Sequence, residues 1–337
     1  MKTANLFSSV KASVPALAID KVAVLLGQVE RELEQETRSV VTAVEGVGSS
    51  TLGAGGKRLR PALAIVSALA TGLPFDETRI VRLGASLELI HMATLIHDDV
   101  IDESRTRRGR PTAASLFGNT TAILSGDVLL AKAMRALAID GDIRVIRSVS
   151  QSVVTLAEGE VRELEVRGKF ELDEREHREI LSMKTSSLIE CCCRVGAMVA
   201  RAPQTLEDAL AAYGHHLGLA FQLADDLLDF CGEPSKTGKP LGTDFREGQA
   251  TLPLIHLRPS LTETEARFVS DKFGNGVTDL EVEEICGWMR DRGALEQVRL
   301  AARTESRLAQ DALTDLPRSP YSELLHSVTQ FVTEREA

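Results

Sequence analysis

Two short stretches carry aspartates at one spacing. "HDDVID" places Asp98, Asp99 and Asp102 after the apolar run "SLELIHMATLI". "ADDLLDF" places Asp225, Asp226 and Asp229 after "YGHHLGLAFQL". On a helix, the first and last aspartate of each set share a face, and like charges there cost a few tenths of a kcal/mol. Acidic residues at a helix C-terminus also oppose the macrodipole. One such motif reads equally well as a solvated helix end. Two motifs, 127 residues apart and each following a helix suited to a core, point instead to hard cations held between facing helices. Six carboxylates without His or Cys ligands suit Mg²⁺ and argue against zinc.

Basic residues recur in four further places. "GGKRLRP" carries Lys57, Arg58 and Arg60; "RTRRGRPT" carries Arg107 and Arg108; "KTSSL" carries Lys184 and Thr185; "TGKPLGTDFREG" carries Lys239. Arg binds phosphate as a planar fork and Lys as a point charge, while glycine lets the backbone approach. Each run alone is usually a solvated face. Beside two Mg²⁺-type clusters they indicate one or two substrates bearing diphosphate. No GxxxxGK[ST] loop is present, so the site is not of the P-loop kind.

The elements that must hold these residues are helical. Pro61 near the start of "RPALAIVSALATG" and Gly72 after it mark a helix by the usual asymmetry. Asp76 is placed to cap a long helix running to about Asp102. "TTAILSGDVLLAKAMRALAID" gives another helix, closed by "DGD" at 140–142. Further helical runs cover about 142–167, 173–201 and 205–230, and shorter ones continue to the C-terminus. No convincing strand and no repeat appear. The irregular pieces, 103–112 and 231–248, each follow an aspartate cluster. The expected fold is all-α: a single-domain bundle of ten or more helices over 21–337, around a central apolar cavity, with residues 1–20 loosely held.

Composition narrows the function. The 337 residues are 43% hydrophobic and 4% aromatic, with a net charge of −10. That charge argues against a nucleic-acid partner. No signal peptide and no apolar run of about 18 residues is evident, so no membrane-spanning helix is expected. Five cysteines, three consecutive at 191–193, read as small apolar core residues in a reducing, cytoplasmic compartment.

Taken in order, "GGKRLRP", "HDDVIDESRTRRGRPT", "GD" at 126–127, "KTSSL" and "FQLADDLLDFCGEPSKTGKPLGTDFREG" resemble the trans-isoprenyl diphosphate synthases over about residues 25–330. The likeness is greatest to long-chain, octaprenyl-type polyprenyl diphosphate synthases. It implies a Mg²⁺-dependent prenyltransferase that condenses isopentenyl diphosphate with farnesyl or geranyl diphosphate. The product would be a long all-trans chain, for a quinone side chain and for delivery to a membrane, and the enzyme a homodimer. The resemblance assigns Asp98, Asp99 and Asp102 to the first metal motif and Asp225, Asp226 and Asp229 to the second. It assigns Lys57, Arg60, His91 and Arg108 to isopentenyl diphosphate. Arg107, Lys184, Thr185, Gln222 and Lys239 fall around the allylic diphosphate. Catalysis would rest on Asp98, Asp99, Asp102, Arg107, Lys184, Asp225 and Lys239. His91, on an apolar helix, would otherwise read as a hydrogen-bonded core residue.

Three departures stand out. Gln249 occupies a position where lysine is common, Glu163 one where glutamine is common, and His177 one where tyrosine is common. None removes a metal motif. Ala93 and Thr94, one turn before Asp98, are small, so a growing tail has room to pass them; Met134 and Leu137 are candidates for the floor. Short-chain synthases, class I terpene cyclases and a silent partner subunit are the alternatives. A cyclase has no need of "GGKRLRP", and a silent subunit no need of two intact aspartate motifs.

Overall fold

The computed structural model describes residues 14–232 and 240–334, with side chains described as far as 330. Helices α1 (Ala16–Glu36), α2 (Thr42–Gly53), α3 (Leu59–Ala70) and α4 (Glu77–Ile101) precede a small hairpin of β1 (Thr106–Arg107) and β2 (Arg110–Pro111). Then come α5 (Ala113–Phe117), α6 (Asn119–Asp140), α7 (Ile143–Val166), α8 (Glu174–Leu181), α9 (Ser187–Val199) and α10 (Gln204–Cys231). Short helices at Thr243–Arg246 and Leu252–Leu257 lead to Glu263–Lys272, Asp279–Asp291, Ala294–Ala312 and Pro320–Glu334. The all-α expectation holds: among the described residues the only sheet is the hairpin. Residues 16–20, expected to be loose, form the first turns of α1, and residues 1–13 lie outside the described residues.

The chain divides into two compact units interleaved in sequence. The first holds the chain up to Val153 with Glu190–Ala211 and Leu313–Val328. The second holds Val154–Ile189, Ala212–Ala312 and the end of the chain.

In the first unit α4 lies against α6, α3 and α1. Its apolar residues surround the axis, and Ile80, Leu83, Leu87 and Leu89 are wholly enclosed. A helix apolar all round belongs in a core, and each such leucine or isoleucine stabilises by about 1.5–3 kcal/mol. Asp76 starts the helix as expected, accepting from the backbone N–H of Thr78 at 2.8 Å and Arg79 at 3.2 Å. By length and composition alone α4 could cross a membrane. Most of it is buried inside the protein, so its apolarity is that of a core helix, in keeping with the expectation of no membrane-spanning helix. Cys191, Cys192 and Cys193 are buried and free. Burial pushes the Cys191 thiol up to about 11 and the Cys193 thiol up to about 12, which leaves both unreactive at neutral pH.

The second unit has its own core, in which Leu223, Leu227 and Phe230 of α10 pack with Phe245, Leu252, Leu254 and Met289. Two reciprocal caps, Thr262 with Glu265 and Thr278 with Glu281, start the helices that close it. The helix expected at 173–201 is interrupted: Ser182–Ser186 adopts a π-helical turn between α8 and α9. Glycines flank that turn. A Cβ at Gly159 would lie 2.6 Å from Met183 Cβ, and one at Gly218 2.6 Å from Ser186 Cα. Only glycine admits α7 and α10 so close to the widened turn.

Candidate active site

The first aspartate cluster ends α4 and is tied to the hairpin that follows. Asp99 is 5% exposed, and its Oδ1 accepts from Arg107 Nε at 2.7 Å. Burial raises the Asp99 pKa, and Asp102 adds to the rise, against the lowering by Arg107. Asp98 is half-buried and Asp102, at the C-cap, is exposed. The hairpin turns through Arg108 at φ 53° and Gly109 at φ 72°. Two successive positive φ values define the type I′ turn that suits tightly paired strands. Thr112 braces the loop, its hydroxyl donating to Ser104 O at 2.8 Å. Arg108 donates to Gly55 O, and Arg110 Nη1 donates to Gly53 O at 2.8 Å, so the hairpin is anchored on the end of α2.

Arginines converge beside this cluster. Arg58, in the left-handed region at φ 51°, is buried and donates to Glu30 at 2.6 Å and Glu88 at 3.2 Å. It is a structural ion-pair member. Arg60 differs: its buried Nε has no partner, and Glu88 Oε2 nearby also lacks one. A buried donor without a partner costs about 1–3 kcal/mol, and a ligand oxygen would satisfy it. Burial lowers the Arg60 pKa, which Glu88 and Asp98 oppose. His91 faces the same cations. Burial, then Arg60, Arg108, Arg107 and Arg58, hold its pKa well below the usual histidine value, so the ring is neutral at physiological pH. Lys57 is exposed next to them. The structure thus brings Lys57, Arg60, His91, Arg107, Arg108 and the first aspartates together in one unit. Ala93 is buried on α4, Thr94 donates its hydroxyl to His91 O at 2.8 Å, and on α6 Met134 is half-buried and Leu137 buried.

In the second unit the corresponding aspartates end α10. Asp225 is exposed. Asp226 is 5% exposed and pairs with His177 Nε2 at 2.8 Å. Asp229 accepts the backbone N–H of Thr243 and of Asp244, each at 3.1 Å, and so caps the helix Thr243–Arg246. Lys184 and Thr185 sit on the π turn, and Gln222 lies one turn before Asp226. Lys184 Nζ pairs with Glu160 at 2.9 Å and with Glu163. The Gln249 backbone N–H donates to Asp244 O at 2.8 Å. Lys239 lies outside the described residues.

Sequence reasoning noted His177 and Glu163 only as departures, and missed Glu160. The lone signal for Glu160 was its place three residues before Glu163, on the same helix face. The middle aspartates of the two motifs behave alike: each is buried and held by another side chain, Arg107 or His177. Among the described residues no group of three His, Cys, Asp or Glu side chains is placed to hold a metal ion by itself. The aspartates of the two motifs offer oxygen donors alone, the kind that hard divalent cations take.

Comparison with known proteins gives a consistent result. The chain is 34% identical over 302 residues to octaprenyl diphosphate synthase of Escherichia coli strain K12, covering 90% of this chain and 93% of that protein. A decaprenyl diphosphate synthase structure from Rhodobacter capsulatus is similar at a TM-score of 0.89 and 35% identity, covering 94% of this chain and 98% of that one. A Caulobacter crescentus CB15 polyprenyl synthase, complexed with calcium and isoprenyl diphosphate, gives a TM-score of 0.89 at 32% identity, over 95% and 97% of the two chains. The polyprenyl synthetase family model matches residues 41–287. With its two helix-end aspartate motifs and helical fold, the chain belongs to the polyprenyl synthetase family of trans-isoprenyl diphosphate synthases.

Proposed function

We propose that this polyprenyl diphosphate synthase joins isopentenyl diphosphate repeatedly to an allylic primer, with Mg²⁺, to make a long all-trans polyprenyl diphosphate. The observation that carries the reading is the paired design of the motifs. Arg107 and His177 fix the buried Asp99 and Asp226, which leaves Asp98, Asp102 and Asp225 as the more exposed oxygens at the helix ends. When bound, Mg²⁺ supplies Lewis-acid stabilisation of the charge on the departing diphosphate.

The chain's own residues do the rest. Asp98 and Asp102 in the first unit and Asp225 in the second would hold the metal when it is bound, and Asp229 holds the segment after the second motif. The resemblance assigns Arg107 of the first unit, Lys184, Thr185 and Gln222 of the second, and Lys239, which lies outside the described residues, to the allylic diphosphate, whose developing charge they would stabilise. Lys57, Arg60, Arg108 and neutral His91 hold isopentenyl diphosphate; the orphaned Arg60 Nε supports this role. Cleavage of the allylic C–O bond generates a cation, which the isopentenyl double bond attacks. The proton then lost passes to the released diphosphate, and apolar walls exclude water. Ala93 and Thr94 leave room for a tail, and Met134 bounds it.

The family match runs through segments of both units, which supports reading residues 21–337 as one synthase domain in sequence. The enzyme acts as a cytoplasmic homodimer, primed by farnesyl or geranyl diphosphate, and serves a quinone side chain. Asp98→Ala and Asp225→Ala test the reading. Each should keep the fold, since removing like charge from a helix end does not harm it, and lose most incorporation of labelled isopentenyl diphosphate. Near-native incorporation by Asp98→Ala at limiting Mg²⁺ defeats the metal assignment.

A further inference from the structure

Lys184 does not wait in this protein as an open cation. Its ammonium lies between two carboxylates of α7: Glu160 Oε2 at 2.9 Å and Glu163, which it also contacts. The three side chains are partly enclosed, with 24% of Lys184, 12% of Glu160 and 19% of Glu163 exposed. Burial works against the Lys184 charge, but Glu163 and Glu160 outweigh it and raise the pKa above the ordinary lysine value.

Backbone geometry sets this arrangement. Lys184 is presented by the π turn at Ser182–Ser186. Gly159, adjacent to Glu160, lets α7 reach that turn; a Cβ there would lie 3.0 Å from Lys184 N. Glu160 and Glu163 are three residues apart and therefore share a helix face. The trio carries one positive and two negative charges. A diphosphate arriving at Lys184 must share its ammonium with two carboxylates or displace one, and meets a net negative group. With a neutral amide at 163, the trio would be neutral and one competitor fewer.

We infer that Glu163 is the built-in counter-ion of Lys184, competes with the allylic diphosphate for that lysine, and sets its affinity. The inference rests on the reading of Lys184 as a diphosphate-binding residue. It makes Glu163 an affinity-setting residue that weakens the hold on both the allylic substrate and the released inorganic diphosphate. Isopentenyl diphosphate is assigned by the reading to Arg60 and His91, not to Lys184.

Calorimetric titration with inorganic diphosphate and with an unreactive thiolo analogue of farnesyl diphosphate, both in Mg²⁺, tests this on the full chain. Glu163→Gln keeps size and shape and removes one charge. It should tighten both ligands about five- to ten-fold, between the values of an exposed pair and a buried charged hydrogen bond. The gain should shrink as salt rises, because it is electrostatic. Lys184→Ala should weaken both ligands, and in that background Glu163→Gln should lose most of its effect. Isopentenyl diphosphate affinity should stay constant in Glu163→Gln, which also reports an intact fold. If Lys184→Ala weakens binding but Glu163→Gln fails to tighten it, the counter-ion inference is overturned while the role of Lys184 stands. If Lys184→Ala leaves affinity unchanged, the underlying reading of Lys184 falls, and the inference with it.

Discussion

His177→Phe is the sharpest perturbation of the second aspartate motif. The pair it breaks is enclosed: His177 and Asp226 side chains are 6% and 7% exposed, and their atoms lie 2.8 Å apart. Phenylalanine fills much of the ring volume but offers no N–H. Asp226 is then a buried carboxylate short of a hydrogen-bond partner. Such a loss costs about 1–3 kcal/mol for a neutral group and 3–5 kcal/mol where a buried ion pair is broken, so ~3 kcal/mol is a fair figure here. With a urea dependence of about 2–3 kcal/mol per molar, the unfolding midpoint should fall by roughly 1 M or more. Activity should need more Mg²⁺, because Asp226 no longer has a fixed rotamer beside Asp225. His177→Tyr supplies a hydroxyl donor of greater reach and should recover most of both losses. The measurements are urea melts of the three proteins and Mg²⁺ titrations of isopentenyl incorporation. A His177→Phe midpoint within about 0.2 M of wild type, with an unchanged Mg²⁺ requirement, would refute the claim that His177 positions the motif.

Two further outcomes follow from the first unit. Arg60→Ala should raise the KM for isopentenyl diphosphate about 10- to 150-fold, the worth of one charge-assisted hydrogen bond, with little change for farnesyl diphosphate; equal effects on both would sink the assignment. His91 has a folded pKa held below its unfolded value of about 6.5, so at lower pH the unfolded chain binds a proton that the folded chain refuses. Stability should therefore fall as pH drops below about 6.5, and urea melts of His91→Gln should lose that part of the slope.

The helical frame was legible because its signals are local. The Asp76 cap, the Gly141 stop after α6 and the apolar stretches of α4 and α10 each depend on a few neighbouring residues. The aspartate motifs were legible as a repeated spacing. What escaped depended on tertiary contact. The turn through Arg108 and Gly109 lacks the Asn-Gly or Asp-Gly pair that signals a type I′ hairpin, and only its anchoring on Gly53 and Gly55 reveals its purpose. The π turn at Ser182–Ser186 leaves the helical pattern nearly intact; what betrays it is the close approach of Gly159 and Gly218, two residues distant in sequence. The six aspartates looked equivalent as letters. Burial separates them, since Asp99 and Asp226 are held by Arg107 and His177, while Asp229 caps a short helix. Lys184 looked like an open phosphate ligand until Glu160 and Glu163 were found beside it.

Product length tests the central claim most directly. Purified chain is incubated with Mg²⁺, farnesyl diphosphate and labelled isopentenyl diphosphate, and the products are sized by chromatography. Ala93→Tyr is run alongside. A helical turn rises about 5.4 Å, close to one isoprene unit, so a ring placed one turn below Asp98 should stop the chain early. The wild type should yield heptaprenyl to decaprenyl products, with octaprenyl foremost, and Ala93→Tyr should stop at farnesyl or geranylgeranyl length. A wild type that incorporates no isopentenyl diphosphate, or that halts at farnesyl, would contradict the account, as would an Ala93→Tyr variant whose long product is unchanged.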